Sequence, residues 1–196
     1  MNYKYYIVYK PYMVLSQFTA LEGKQCLKDF FKVEKDVYSV GRLDYDSEGL
    51  LILTNDASLN HKLLHPKFIH EREYLAQSEG LVNKEALSIL AQGVIINING
   101  KPYRTKSCRA QLLEDAPLVP DRYPPIRFRK HIPVSWVKLS LTEGKNRQVR
   151  KMMANIGFPV LRLIRTRIEQ IALDEMKPGE MVTLSQESIN RKLFRK

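Results

Sequence analysis

The stretch Val134–Leu141 reads VSWVKLSL, and it carries the clearest secondary-structure signal in the chain. Its apolar residues largely alternate with small or polar ones, which is typical of a β-strand with one buried face. Further strands are predicted at Tyr5–Tyr9, Tyr38–Val40, Leu50–Thr54, Arg72–Ala76, Tyr103–Leu113, Leu161–Ile164, Gln170–Leu173 and Met181–Leu184. Helices are predicted at Gly23–Lys32, Asp56–Leu64, Asn83–Ala91 and Asn146–Ile156. Strands outnumber helices and do not alternate regularly with them, so we expect an α+β fold with a mixed, mostly antiparallel sheet.

Positive charge is concentrated in one part of the chain. The net charge is +11, yet residues 1–121 hold 15 basic and 15 acidic side chains, and residues 168–196 hold five of each. Between them, residues 122–167 carry eight Arg and four Lys against a single acid, Glu143. Guanidinium groups match phosphate oxygens and stack on bases, and Tyr123, Phe128 and Trp136 could stack as well, although Trp136 better fits a core position. The segment therefore indicates a nucleic-acid partner rather than a merely solvated surface.

Several classes of protein are disfavoured by composition. The longest apolar runs are far too short to cross a bilayer, and the first residues do not resemble a signal peptide, so we expect a cytoplasmic protein with no membrane partner. Cys26 and Cys108 lie far apart, without the histidine neighbours that a metal site needs, and we interpret them as two reduced thiols. His61 and His65 share a helical face, but Lys62 stands where a zinc protease needs Glu. No metal is expected.

Two polar segments are candidates for chemistry. The first, residues 41–49, reads GRLDYDSEG and lies between two predicted strands, which places Asp44 at the lip of a tight loop. From the loop alone, Asp44 or Asp46 could equally cap a turn, with Arg42 as its surface partner. The second, residues 144–152, reads GKNRQVRKM and displays Arg147 and Arg150 one turn apart near the start of a helix. An ordinary basic amphipathic helix would show the same spacing.

Together these segments resemble the bacterial pseudouridine synthases of the RsuA type. Residues 41–56, GRLDYDSEGLLILTND, match that family's first motif nearly throughout, and residues 144–152 match a second. A third motif, a Tyr in a strand after the first helix, corresponds to Tyr74 in the sequence REYL of residues 72–75. The likeness runs from about residue 6 to residue 184, with motifs in the family's order and spacing. Departures from the pattern are Tyr9, Met13 and Arg72, and they put substrate fit in more doubt than catalysis.

The resemblance implies a fold, a domain arrangement and a substrate class. The implied fold is the pseudouridine synthase catalytic fold, with two lobes flanking a catalytic cleft. We expect residues 1–186 to form this domain without an N-terminal RNA-binding module of the S4 type, and residues 187–196 to form a basic tail. The short start, together with residues 124–136 and 157–165, is similar to the E-type branch, which modifies large-subunit (23S) ribosomal RNA. The implied partner is that RNA or a pre-ribosomal particle, and a monomer is expected.

The resemblance also assigns roles to individual residues. Pseudouridine formation breaks the N1–C1′ bond of a uridine, rotates the base and joins C5 to C1′. Asp44 would either stabilise or attack the cationic sugar, or remove a ribose proton, and both routes need an ionised carboxylate with Arg150 as its cationic partner. Tyr74 would pack on the uracil and take part in proton movement at C5. Arg42 would fill the position that the flipped base vacates. No cofactor is required.

The remaining candidates are expected to bind RNA. They are Arg127, Arg129, Lys145, Asn146, Arg147, Gln148, Arg162 and Arg165. Two other functions stay open on the same scaffold: a catalytically silent RNA-binding or ribosome-assembly protein, and another base-processing enzyme such as a glycosylase. The complete set of Asp44, Tyr74 and Arg150 argues against both, because binding alone does not need a carboxylate that faces RNA phosphates.

Overall fold

The computed structural model describes residues 3–127 and 129–194, and within these ranges it contains thirteen strands and four α-helices. The strands are β1 Tyr5–Lys10, β2 Val14–Leu15, β3 Gln25–Cys26, β4 Tyr38–Ser39, β5 Glu48–Thr54, β6 Arg72–Glu79, β7 Ile95–Ile98, β8 Lys101–Arg104, β9 Arg109–Leu113, β10 Val134–Leu141, β11 Val160–Ile168, β12 Ile171–Ala172 and β13 Met181–Thr183. The helices are α1 Ala57–Leu64, α2 Lys84–Ala91, α3 Gln148–Asn155 and α4 Gln186–Phe194. The α+β class predicted from the sequence is confirmed.

The first of two compact units comprises residues 1–70 and 165–196. Its neighbouring strands follow the order β13-β1-β5-β11, with β4 on β5 and β12 on β11. Strand β1 pairs antiparallel with β5, where Tyr6 lies opposite Leu53, and antiparallel with β13 on its other side. All residues of β1 and β5 are buried, because both strands are interior and rich in aliphatic and aromatic side chains.

The second unit comprises residues 71–164. Its neighbouring strands follow the order β11-β6-β10-β9, and a separate antiparallel hairpin is formed by β7 and β8. Strand β10, the stretch VSWVKLSL, pairs with β6 along its whole length, and Val137 and Leu139 are fully buried. Helix α3 packs on β7, and helix α2 packs on β9.

Helices α1 and α2 each begin after a residue whose side chain caps the helix. Asp56 caps α1 by accepting hydrogen bonds from the main-chain N–H groups of Ser58 and Leu59, and Asn83 caps α2 through Ala86. Helix α3 is shorter than predicted. It begins at Gln148, because Arg147 before it has a left-handed backbone with φ of +51°.

Two predicted elements are wrong in extent. No α-helix forms at Gly23–Lys32, where one was predicted. The described structure there contains strand β3 and a 3-10 turn at Leu27–Asp29. The strand predicted at Tyr103–Leu113 is divided into β8 and β9, because Thr105 turns away to exchange hydrogen bonds with Val94. Strand β7, which forms the hairpin with β8, was not predicted.

The predicted tail is also corrected. Residues 187–194, which we expected to extend from the domain, belong to helix α4. Ile189 and Leu193 lie one turn apart on that helix and are buried, with exposures of 0% and 4%. Their burial ties the helix to the first unit, while Arg195 and Lys196 lie outside the described residues. Among the residues that the structure describes, no helix combines the length and apolar character needed to cross a membrane.

Candidate active site

Loop 41–49 of the first unit carries Asp44 and is pinned by hydrogen bonds at its base. The buried Ser16 hydroxyl donates to the carbonyl oxygen of Leu43 at 2.8 Å and accepts from the Leu43 N–H at 3.0 Å. The N–H of Ser47 donates to the carbonyl oxygen of Asp44, which closes a turn. Asp44 is half-buried, and hydrogen bonds fix the main chain at Leu43 before it and at Ser47 after it. The loop therefore presents the Asp44 carboxylate from a fixed backbone.

Gly49 at the end of this loop allows close packing that no other residue permits. Its backbone has φ of +111°, and a Cβ atom placed there would lie 2.3 Å from the carbonyl oxygen of Arg165. A side chain at this position would therefore force β5 and β11 apart locally. The glycine of the motif thus serves the packing of the strand that follows the loop.

Lys10 is a buried cation beside the loop, and the sequence reasoning did not identify it. Its side chain is fully buried, and Nζ donates to the carbonyl oxygens of Pro11 and Val14 at 2.8 and 2.7 Å. Burial lowers the pKa of Lys10 from 10.5 to about 7, while the charges of Glu48, Asp46 and Asp44 act in the opposite direction. The sequence signal that could have identified Lys10 as a buried residue is its position at the end of a strand that is otherwise aromatic and aliphatic.

Arg165 is a second buried cation of this region, with an exposure of 5%. Its Nε donates to the carbonyl oxygen of Leu50 at 2.8 Å, which ties β11 to β5, and its charge helps to lower the pKa of Lys10. The burial of Arg165 argues against a contact with RNA phosphate, and its role in binding stays a prediction. Arg42, in contrast, is exposed.

The second unit carries the other two residues with predicted catalytic roles. Tyr74 lies on β6 opposite Leu139 of β10, and 9% of it is exposed. Arg150 lies on α3 and is half-buried, and its Nη1 donates to the carbonyl oxygen of Val160 at 3.1 Å. Both side chains are thus held by regular elements rather than by loops.

The turn before α3 contains the densest group of predicted RNA contacts. Lys145, Asn146 and Arg147 are exposed, whereas Gln148 has an exposure of only 4%. The Gln148 amide donates to Glu143 at 2.6 Å and its oxygen accepts from the Lys145 N–H at 2.9 Å. Both ends of the Gln148 amide are used within the protein, which argues against a contact with RNA, and its role in binding stays a prediction.

The remaining arginines divide in the same way. Arg127 and Arg129 are exposed, and Arg129 also pairs with Glu79 at 3.1 Å. Arg162 is buried and donates to the carbonyl oxygen of Pro120 at 2.8 Å, which argues against a phosphate contact, and its role in binding stays a prediction as well. Phe128, considered above as a stacking residue, lies outside the described residues.

Metal-binding side chains do not gather in the described parts of the chain. No group of three or more His, Cys, Asp or Glu residues has the arrangement to hold an ion there. Cys26 and Cys108 are free thiols, and burial raises the pKa of Cys108 to about 11. The described residues with predicted roles in catalysis or binding carry carboxylate, phenol, guanidinium, amine and amide groups.

Comparisons with known proteins agree with this inventory. Residues 4–155 match the family model described as RNA pseudouridylate synthase. The chain is 44% identical over 179 residues to ribosomal large subunit pseudouridine synthase E of Vibrio parahaemolyticus, covering 91% of this chain and 73% of the relative. It is 44% identical over 171 residues to the protein of that name from Xanthomonas axonopodis pv. citri, covering 86% and 87%.

A solved structure described as a pseudouridylate synthase superposes with a TM-score of 0.79 and 26% identity, covering 98% of this chain and 74% of that one. The chain therefore belongs to the RNA pseudouridylate synthase family. It is an enzyme of this class, and its fold is the pseudouridine synthase fold.

Proposed function

We propose that this enzyme converts a uridine of large-subunit (23S) ribosomal RNA to pseudouridine, with Asp44 as the catalytic carboxylate. The observation that carries the proposal is the pinned loop 41–49, which presents Asp44 half-buried beside the buried Lys10. The substrate follows from the relatives, which are named as large-subunit enzymes at 44% identity. The protein acts in the cytoplasm as a monomer, on free RNA or on an assembling subunit.

The reaction is an isomerisation, so no atom is gained or lost. The N1–C1′ bond breaks with positive character developing on the ribose, the uracil rotates, and a C5–C1′ bond forms. The proton that leaves C5 is balanced by the proton gained at N1. Asp44 stabilises or attacks C1′, or removes a ribose proton, and a carboxylate suits each of these roles. Tyr74 packs on the base and assists proton movement at C5.

The cationic residues serve binding and charge compensation. Arg150 compensates the Asp44 carboxylate, and Arg42 occupies the space that the flipped base leaves in the RNA stack. Arg127, Arg129, Lys145, Asn146 and Arg147 contact the RNA backbone, and their exposure supports this role.

The proposal is tested by mapping pseudouridines in ribosomal RNA from cells with and without the gene. We expect one 23S site to disappear, to return with the wild-type gene, and to stay absent with Asp44→Asn. Asp115→Asn, a change in an exposed loop, serves as the control and should restore the site. An unchanged modification map in the deletion strain would refute the substrate assignment.

The purified enzyme separates catalysis from binding. Asp44→Asn should lower turnover by at least about a thousandfold, as loss of a group at the reacting atoms does. RNA affinity should stay within about tenfold of wild type, because phosphate contacts supply most of it. Retained turnover in this variant would remove Asp44 from its role and favour a silent RNA-binding protein.

A further inference from the structure

Glu143, the single acid among the twelve cations of residues 122–167, is the centre of a hydrogen-bonded network in the second unit. Its Oε2 accepts from the Tyr103 hydroxyl at 2.6 Å. Its Oε1 accepts from the Gln148 amide at 2.6 Å and from the main-chain N–H of Lys106 at 2.9 Å. Both carboxylate oxygens therefore point into the protein, and the network joins hairpin β7–β8 to the start of α3.

The network closes on itself through Lys145. The Lys145 N–H donates to the oxygen of the Gln148 amide, and the Lys145 ammonium lies over the Tyr103 ring, 4.9 Å from its centre. Tyr103 in turn is fixed by Glu143, and this hydrogen bond raises the pKa of the Tyr103 phenol. Gln148 thus holds the main chain of Lys145 and Tyr103 contacts its side chain, and both of these residues donate to the Glu143 carboxylate.

A carboxylate at an RNA-binding turn would ordinarily weaken phosphate binding by repulsion. The positive charges of the exposed Lys145 and Arg147 offset this repulsion, while three donors of the protein hold the Glu143 oxygens in place. An exposed lysine normally loses much rotamer freedom when it binds phosphate. Contact with an aromatic face restricts that freedom beforehand, which lowers the cost of binding.

We propose that Glu143 and Tyr103 are positioning residues that hold Lys145 and the turn 144–147 ready to contact an RNA phosphate. They touch neither the base nor the ribose, and they act on affinity through Lys145. The inference rests on the proposed function for its ligand, RNA, but it concerns binding rather than the chemical step. It adds hairpin β7–β8, which lies outside the basic segment of the sequence, to the elements that shape the RNA-binding surface.

The test is a double-mutant cycle between Tyr103 and Lys145, with in vitro transcribed large-subunit ribosomal RNA as the probe. Lys145→Met should weaken RNA binding about three- to tenfold and lower the salt slope by about one unit or less. Tyr103→Leu, which removes the ring, should weaken binding about two- to fivefold. In the double variant, Tyr103→Leu should cause almost no further loss of RNA affinity, because position 145, which Tyr103 contacts in the wild type, no longer carries a charge. Lys84→Met, at an exposed lysine on α2, is the matched control and should bind like wild type.

Two further variants keep the test decisive. Tyr103→Phe retains the ring and loses only the bond to Glu143, and Glu143→Gln retains the shape of the acceptor but loses its charge. Both should raise KM about two- to fivefold at unchanged kcat, and both effects should vanish in the Lys145→Met background. Additive effects in these cycles would overturn the proposal, as would equal binding by Lys145→Met and Lys84→Met.

The measurements also separate this proposal from the proposed function. Binding is followed by fluorescence anisotropy and does not require product formation, so the cycle is informative even for an inactive preparation. Absence of pseudouridine with the wild-type enzyme would count against the proposed function alone. A purely structural role of Tyr103 predicts a lower unfolding midpoint with full additivity, and this result would also overturn the positioning role.

Discussion

Loop 41–49 in the first unit and turn 144–147 in the second both combine cations with carboxylates, yet they place the cations differently. Beside loop 41–49, Lys10 and Arg165 are buried and donate to main-chain carbonyl groups. In turn 144–147 the cations are exposed, and the side chains bonded beside them are those of the half-buried Glu143 and the buried Gln148. The buried cations donate to the main chain whereas the exposed cations face solvent, and net charge alone does not distinguish the two groups.

The largest expected effect concerns the packing that buries Arg165. Gly49→Ala should lower the free energy of unfolding by about 3–5 kcal/mol, because the new Cβ meets the main chain of Arg165 on a strained left-handed backbone. Urea denaturation measures this change. Gly23→Ala is the control, since Gly23 also has a positive φ but faces open space, and it should cost only about 1–2 kcal/mol. Equal losses in the two variants would show that β5 and β11 do not need this close approach.

The burial of Lys10 predicts a dependence of stability on pH. The pKa of Lys10 is about 7 in the folded protein and near 10.5 when unfolded, so the unfolded chain binds more protons between these values. Stability contributed by Lys10 should therefore rise with pH, by about 2–3 kcal/mol between about pH 7 and 9. Lys10→Met removes the titration, and the difference from wild type should grow with pH. Parallel pH profiles would contradict this, and Lys28→Met, at an exposed lysine, should give parallel profiles.

A smaller effect separates the buried from the exposed arginines of the basic segment. Arg127→Ala should lower the slope of RNA affinity against salt by about one unit or less and change stability by less than about 0.5 kcal/mol. Arg162→Ala should leave the slope unchanged and cost about 1–3 kcal/mol of stability, because the carbonyl of Pro120 loses its donor. A reduced slope for Arg162→Ala would reinstate this residue as a phosphate contact.

The local features of the fold were predictable where a short pattern determines the structure. Strand β10 follows from alternation, the start of α1 follows from the capping side chain of Asp56, and loop 41–49 follows from its motif. Helix α4 was not predictable in this way, since only Ile189 and Leu193 of a polar stretch face the core. The expected helix near Leu27 failed because pairing of β3 with β2 took precedence over local propensity.

The residues of the site were predictable from the sequence, but their burial and their hydrogen-bond partners were not. The motifs named Asp44, Tyr74 and Arg150, whose catalytic roles stay predictions. Burial depends on residues distant in sequence, so nothing local separated the buried Arg162 from the exposed Arg127. Two partners of Glu143, Tyr103 and Lys106, likewise lie about 40 positions earlier in the chain.

Strand β1 lies between β5 and β13, so residues from the two ends of the chain are neighbours in the first unit. Val8 pairs with Met181, which is synthesised much later. At about 5–20 residues per second, the interval between the synthesis of the two residues is roughly 10–35 s. The second unit is one continuous segment, residues 71–164, so all of its residues are synthesised before Met181. The unit that carries Asp44 is therefore completed last, and a truncated translation product that ends before β13 has an unpaired edge on β1 instead of a finished enzyme.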